Sequence, residues 1–256
     1  MATRDGEALL LGVRPLGEQG VMATLFSREY GTVRGLLRSG KGMLAGDTVR
    51  FSHARRLENQ LGKLRCEVAV SRAALLMNDT TAAYVAAYLA ELTRALLPED
   101  HPYEAVYEAF FAVWQGHLPW WRRLAELERS VLAAVGYGLS LADDAVPCAA
   151  GAELCYVSPN SGRAVSRATG APYVAKLLEL PAIWGGVPCS EAEDALRALR
   201  LTGSFLGKSL HGKELTARTR LVEHLLGGLQ SQGENDAQGS MDDGGFGKRF
   251  GGGSAG

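Results

Sequence analysis

Several stretches of this 256-residue chain come near to known chemistry, and each falls short for a physical reason. Gly35 to Gly42 runs Gly-Leu-Leu-Arg-Ser-Gly-Lys-Gly, one position short of a phosphate-binding P-loop. That loop needs a Ser or Thr hydroxyl after its lysine to hold magnesium, and Gly42 has none. No helix signal follows to offer phosphates an N-terminal dipole. Gly203 to Ser209 ends in Gly-Lys-Ser, but its loop is one residue too short. The last six residues match a dinucleotide fingerprint from Gly251 and a nucleophile elbow from Gly252. Neither has the strand before it or the helix after it that gives those patterns their function. The five histidines (His53, His101, His117, His211 and His224) are never four residues apart and never beside a cysteine. They form no local metal pair or nucleophile–base pair. Glu91 and Glu128 fall within helical segments and read as polar or capping residues. No active site emerges, no cofactor is implied, and the chain reads as a protein that is not an enzyme.

What remains is basic. Gly31 to Lys41 reads as a short strand entering a glycine-bounded loop. Side chains alternate along a strand, so Val33, Gly35 and Leu37 share one face and Arg34, Leu36 and Arg38 the other. Arg34 and Arg38 then point the same way, about 13 Å apart at ~3.3 Å per residue. Lys41 follows in the loop. Arg50, Arg56, Lys63 and Arg65 take the same outward parity on the next two expected strands. These seven residues are the candidate nucleic-acid contacts. Contacts of this type fall on phosphates and give position and affinity with little sequence choice. On single strands each neutralised phosphate contributes about −0.7 to the log–log salt slope. Phe26, Tyr30 and Phe51 could stack on bases, but Phe26 and Phe51 fit a core better, so electrostatics should dominate over stacking.

The charge distribution agrees. The whole chain has a formal net charge of −1, which excludes a uniformly basic binder. Residues 1–78 hold 12 Lys and Arg against 7 Asp and Glu, a net of +5, and the remainder holds 15 against 21, a net of −6. A basic first part joined to an acidic remainder points to a polyanion partner for the first part.

The elements that must position these residues follow from periodicity. Residues 7–70 alternate apolar and polar in five short runs with turn signals between them. Leu9, Leu11 and Val13 share a face. Val21 to Ser27 is β-prone. Val49 and Phe51 oppose Arg50, Ala54 and Arg56, and Leu64, Cys66, Val68 and Val70 are expected inward. Five such strands suggest a small barrel, and the OB-fold is a five-stranded barrel that binds oligonucleotides. After Asn78 the period becomes about 3.6. Val85, Tyr88, Leu89, Leu92 and Leu96 form one helical stripe, ended by Pro98. Two more follow, Tyr103 to Trp114 and Trp120 to Val135. Ser190 and Glu193 have capping-box spacing before a later helix, and a last helix runs from Leu215 to Leu229. The expected fold class is α+β: an N-terminal five-stranded OB-fold barrel over 1–78, then an all-α domain over 79–139 and 175–230. An irregular insertion spans 140–174, with Leu154 to Val157 its one short strand. The glycine-rich tail, 231–256, is expected to be disordered.

Cys66, Cys148, Cys155 and Cys189 have no Cys-x-x-Cys spacing. Arg4, Asp5 and Glu7 precede the first apolar run, unlike a secretory signal, and no stretch approaches the ~20 apolar residues of a membrane span. The expectation is a soluble cytoplasmic protein with reduced thiols.

Landmarks along the chain then carry a resemblance. They are Glu7-Ala-Leu-Leu-Leu-Gly-Val-Arg-Pro-Leu-Gly-Glu, Tyr30-Gly-Thr-Val-Arg-Gly-Leu-Leu-Arg and Ser71-Arg-Ala-Ala-Leu-Leu. Further on come Ala87-Tyr-Leu-Ala-Glu-Leu, Val135-Gly-Tyr-Gly-Leu-Ser-Leu and Tyr156-Val-Ser-Pro-Asn-Ser-Gly-Arg-Ala-Val-Ser, closed by Leu201-Thr-Gly and Ala217-Arg-Thr-Arg-Leu-Val. In this order and spacing, from about Glu7 to about Leu226, the chain resembles the RecO family of DNA repair proteins. The resemblance implies an OB-fold, a helical domain, and an insertion that binds zinc in some members. It implies binding of single- and double-stranded DNA, annealing of complementary strands, and, with RecR, assistance to RecA in replacing single-stranded-DNA-binding protein. It places DNA contacts on Arg34, Arg38 and Lys41. It also implies a site in the helical part for the C-terminal tail of single-stranded-DNA-binding protein, for which Arg122, Arg123 and Arg129 are the candidates. Zinc-binding members carry four cysteines in the insertion. Here only Cys148 and Cys155 lie there, so no zinc is expected, and packing around Tyr156, Val157 and Tyr173 must hold it.

Two rival readings stand beside this one. A nucleotide-dependent enzyme built on the near-P-loop would hydrolyse ATP. A protein-interaction scaffold would use the β-module for a peptide or subunit and not touch DNA.

Overall fold

The structure, a computed structural model, describes residues 2–17, 20–56, 61–145 and 153–242. It is an α+β protein. Five strands come first: β1 (Ala2–Pro15), β2 (Val21–Ser27), β3 (Gly31–Leu37), β4 (Thr48–Arg55) and β5 (Gly62–Val70). They pair in a closed cycle, β1-β2-β3-β5-β4 and back to β1, with β3 and β5 parallel and the other pairs antiparallel.

Alternation decides what lies inside. Ala8, Leu10, Ala23, Leu25, Val33, Leu37, Val49, Phe51 and Leu64 form the interior cluster. The sequence reading placed Leu9, Leu11 and Val13 on one face of β1. In the structure both faces of β1 are used: Ala8 and Leu10 face the sheet interior, while Leu9 and Leu11 join the helical core with Phe26. Val13 is exposed. Val68 and Val70, expected inward, are 38% and 49% exposed. The β4–β5 register shifts between Thr48 and Val49, and an irregularity of this type breaks the two-residue alternation between Val68 and Val70.

His53 continues the inward face of β4 and is 2% exposed. Its imidazole occupies the space left by two glycines paired across β3 and β5. A Cβ on Gly62 would lie 2.2 Å from His53 Nε2, and one on Gly35 3.2 Å from His53 Cδ2. Gly35 therefore serves the interior, not a phosphate.

The helical part comprises α1 (Ala73–Asn78), α2 (Thr80–Leu96), α3 (Glu104–Gln115), α4 (Trp120–Ala134), α6 (Glu191–Ser209) and α7 (Thr216–Asp242), with the single turn α5 (Arg167–Gly170). α1 falls within the expected β-module and was not foreseen. Asp79 caps α2, accepting from the Thr81 and Ala82 N–H groups, and Trp120 Nε1 donates to its other oxygen at 2.9 Å. The Ser190–Glu193 capping box opens α6 as its spacing predicts. α7 continues past Gly233 to Asp242, beyond the expected end of helix. The remaining tail lies outside the described residues.

A buried polar network ties four helices together. Arg218 of α7 donates from Nε and Nη2 to the two Glu128 oxygens of α4, at 2.8 and 2.9 Å. Tyr88 of α2 donates to Glu128 at 2.7 Å, and Thr202 of α6 donates to it as well. Glu128 is fully buried. Burial alone would lower the Arg218 pKa, but the adjacent Glu128 carboxylate outweighs it and holds the guanidinium charged. Burial and the same carboxylate raise the Tyr88 phenol well above its ordinary value.

The insertion is more regular than expected. It forms a four-stranded sheet in the order β6-β8-β7-β9, from β6 (Ser140–Asp144), β7 (Leu154–Val157), β8 (Arg163–Ser166) and β9 (Leu178–Glu179). Val157 is fully buried and Tyr156 packs on Gly170, but Tyr173, expected to pack with them, is 60% exposed. Asp144 joins β6 to β8 by accepting from the Ser166 N–H at 3.1 Å. Cys148 lies outside the described residues. Cys66, Cys155 and Cys189 are free thiols, and burial pushes Cys66 up to about 12. Among the described residues no three metal-ligating side chains cluster, and no helix is long and apolar enough to cross a membrane.

Candidate nucleic-acid interface

The outward parity of the basic residues holds. Arg34, Arg38, Arg50, Arg56, Lys63 and Arg65 are all exposed. The register shows that they do not act alike. On β5, Lys63 lies opposite Ala54 of β4 and beside Leu36 of β3, and Arg65 lies opposite Ser52. Arg50 faces Glu67 of β5 on one side and Glu7 of β1 on the other. Directly opposed residues approach to about 4.5–5.5 Å between Cβ atoms. Arg50 therefore belongs to a row of mixed charge, which weakens it as a phosphate contact.

Arg34 is also engaged. It pairs with Glu99, from the segment linking α2 to α3, both side chains being about 40% exposed. This is one of several ion pairs along one seam. Arg4 and Arg55 both pair with Asp100, the latter at 2.8 Å, and Arg28 pairs with Glu104 and Glu108. The Asp100 N–H donates to the Thr32 carbonyl at 3.1 Å, which fastens the same segment to β3. Four of the twelve basic residues of 1–78 thus dock the sheet onto the acidic helical part.

Arg38 and Lys41 lie clear of that seam. With Arg14 they line an open groove of about 460 Å³ between the β1–β2 turn and the β3–β4 loop. Gly20 brings these two loops together: its φ is +127°, and a Cβ there would lie 2.3 Å from the Leu37 carbonyl oxygen. The Lys41 N–H donates to Ser39 Oγ at 3.2 Å. The end of the loop is anchored by buried Asp47, which accepts from the Leu44 and Arg72 N–H groups at 2.9 and 2.7 Å. Among the described residues Arg14, Arg38 and Lys41 make no ion pair. Arg14 was not foreseen; it precedes a turn signal, but which loop that turn meets is not a local property.

The loop after Lys41 turns into strand β4, so the near-P-loop has no helix behind it. Gly203 to Ser209 lies inside α6 and forms no loop.

The residues proposed for a partner segment divide. Arg123 turns inward: its guanidinium lies 3.7 Å from the Trp120 ring centre and donates to the Val113 carbonyl at 2.7 Å. Burial lowers its pKa. Arg129 pairs with Glu126 at 3.1 Å. Arg122 is half-buried and, seven residues from Arg129, shares its face of α4.

Residues 77–218 match a family model described as Recombination protein O C terminal. A DNA repair protein RecO from Rhizobium leguminosarum bv. trifolii is 38% identical over 216 residues, covering 80% of this chain and 83% of that protein. RecO from Rhodospirillum rubrum is 37% identical over 238 residues, covering 85% and 94%. RecO from Agrobacterium fabrum is 34% identical over 249 residues, covering 90% and 96%. The similarity extends through the sheet as well as the helices, and the chain belongs to the RecO family of DNA repair proteins.

Proposed function

We propose that this protein acts in DNA repair as a recombination mediator that binds the DNA backbone through the groove of Arg14, Arg38 and Lys41. The observation that carries this reading is the meeting of three cations, without ion pairs among the described residues, where two loops close at one edge of the sheet. Lys63 and Arg65 extend the positive surface along β5. We read the five strands as an OB-fold, whose strand 2–3 face and adjoining loops bind oligonucleotides. The closed order β1-β2-β3-β5-β4 supports that assignment.

Binding of this type serves annealing without a catalytic group. Cations lower the repulsion between two phosphate backbones, and the only bonds made are base-pair hydrogen bonds. On this reading the protein is not an enzyme. It binds single- and double-stranded DNA, anneals complementary strands and, with RecR, helps RecA onto DNA coated by single-stranded-DNA-binding protein. The face of α4 bearing Arg122 and Arg129 is the proposed site for that protein's C-terminal tail. The test is strand annealing in the presence of cognate single-stranded-DNA-binding protein. The R38A/K41A variant should anneal several-fold more slowly while melting at the wild-type temperature. Annealing at the wild-type rate would overturn the groove as the binding site.

One observation bears on the scaffold reading: Val68 and Val70 of β5 and Met77 of α1 are each exposed. Where exposed apolar residues form one contiguous patch, they are characteristic of partner surfaces. If these were the protein's main function, substituting them with serine would abolish mediation and the groove variants would not.

A further inference from the structure

A second groove of about 350 Å³ lies between the outer face of β1, β2 and β3 and the C-terminal end of α2. Its floor is apolar, built from Leu11, Met22 and Leu97, each less than a tenth exposed. Arg14, Arg34 and Arg94 stand around it with a single carboxylate, Glu99, which is paired to Arg34. Thr32, 4% exposed, lines the wall, and among the described residues its hydroxyl has no hydrogen-bond partner. The volume lies within the range of small-ligand sites, about 300–1,000 Å³.

An apolar floor under three guanidinium groups fits a ligand with a flat apolar body and a negative charge. The position selects among such ligands. This groove and the Arg14–Arg38–Lys41 groove share Val13 and Arg14 in their linings, so the two adjoin. Cations spaced along a path suit a chain of phosphates better than a single anionic group. Among the described residues no aromatic side chain lines the second groove, but Arg guanidinium planes also stack on bases, without regard to sequence.

We propose that this groove takes one nucleotide of a single strand, the base over Leu11, Met22 and Leu97 and its phosphate among Arg14, Arg34 and Arg94, and that Glu99 is a built-in competitor for that phosphate. In the free protein Glu99 occupies Arg34. An incoming strand must displace it, and duplex DNA, whose bases are stacked, cannot fill the floor. The site would therefore favour single strands. This proposal rests on the DNA-binding reading given above.

The experiment is fluorescence anisotropy with a labelled thymidine oligonucleotide and a labelled duplex, on the full chain, over a range of salt. E99Q should bind the oligonucleotide several-fold more tightly, because no carboxylate then has to be displaced from Arg34. R94A should weaken oligonucleotide binding several-fold and leave duplex binding within twofold. R38A/K41A serves as the comparison. If R38A/K41A weakens binding while both E99Q and R94A leave it unchanged, the groove proposal fails and the DNA-binding reading stands. If none of the three changes binding, both fail. If R94A abolishes binding of a labelled acidic peptide containing one leucine and leaves the oligonucleotide unaffected, the groove takes protein and the proposal is overturned.

Discussion

His53 and its two facing glycines show how a single interior residue sets constraints on its neighbours. The side chain is buried, and its Nε2 finds no hydrogen-bond partner among the described residues. Burial lowers its pKa, helped by Arg55 and Arg4 and opposed by Asp100 and a backbone hydrogen bond at Arg34. The folded protein thus resists protonating a group that the unfolded chain protonates below about pH 6.5. Between these two values the unfolded state binds more protons, so stability falls as the pH falls. Asp100 adds a second loss at lower pH. Burial would raise its pKa, but Arg4 and Arg55 together hold it below the ordinary carboxylate value, and the stability they give fades below about pH 3.9. Urea unfolding from pH 8 to pH 5 should show a decline in wild type that is reduced in H53F. G62A should be destabilised by about 1–3 kcal/mol, because its methyl group meets the imidazole and the Ala54 carbonyl. In the helical part, Arg218→Leu leaves Glu128 buried without its cation and should cost about 3–5 kcal/mol by the same assay. None of these partners could be read from sequence: Glu128 and Arg218 are joined across 90 positions of chain. The capping role of Glu91 was legible only in kind, from its helical setting.

Elements were legible wherever their period was strong. The five first strands, the helices α2, α3, α4 and α6 and the first half of α7 follow directly from alternation and from 3.6-residue stripes, because each pattern is a local property. The insertion was not legible beyond β7. Its strands are two to five residues long, and β6 pairs in parallel with β8, Ser140 opposite Arg163 and Asp144 opposite Ala164, far apart along the chain. α1 was missed because six residues are too few to display a period. The last helix owes its start to a residue far away: Glu91 of α2 accepts from the Thr216 and Ala217 N–H groups at 3.1 and 2.7 Å. A carboxylate there satisfies two orphan donors and complements the helix dipole. E91A should lose about 1–2 kcal/mol, with the protection of α7 amides falling first in hydrogen exchange.

At the scale of the whole molecule, the charge asymmetry has two uses. Sequence alone showed a basic first part and an acidic remainder, and that imbalance pointed outward, to a polyanion. The structure turns part of it inward, with Arg4, Arg28, Arg34 and Arg55 held along the helical seam. Exposed pairs contribute little singly, about 0.2–1 kcal/mol, and are screened by salt. D100A removes two of them at once and should lower the melting temperature more at low salt than at high salt. What stays available for DNA is a smaller set than the sequence indicated. Of the seven candidates, Arg38 and Lys41 lie in the loop groove, Lys63 and Arg65 lie along β5, Arg50 sits between two glutamates, Arg34 is paired with Glu99, and Arg56 lies just past the end of β4. Arg14 joins the groove from β1.

The most direct test of this account is the salt dependence of single-stranded DNA binding by wild type and by R14A/R38A/K41A. If the groove holds the backbone, the triple variant binds more weakly and its log–log salt slope is shallower by about 2, at about 0.7 for each lost phosphate contact, with the melting temperature unchanged. An unchanged affinity with an unchanged slope would contradict it.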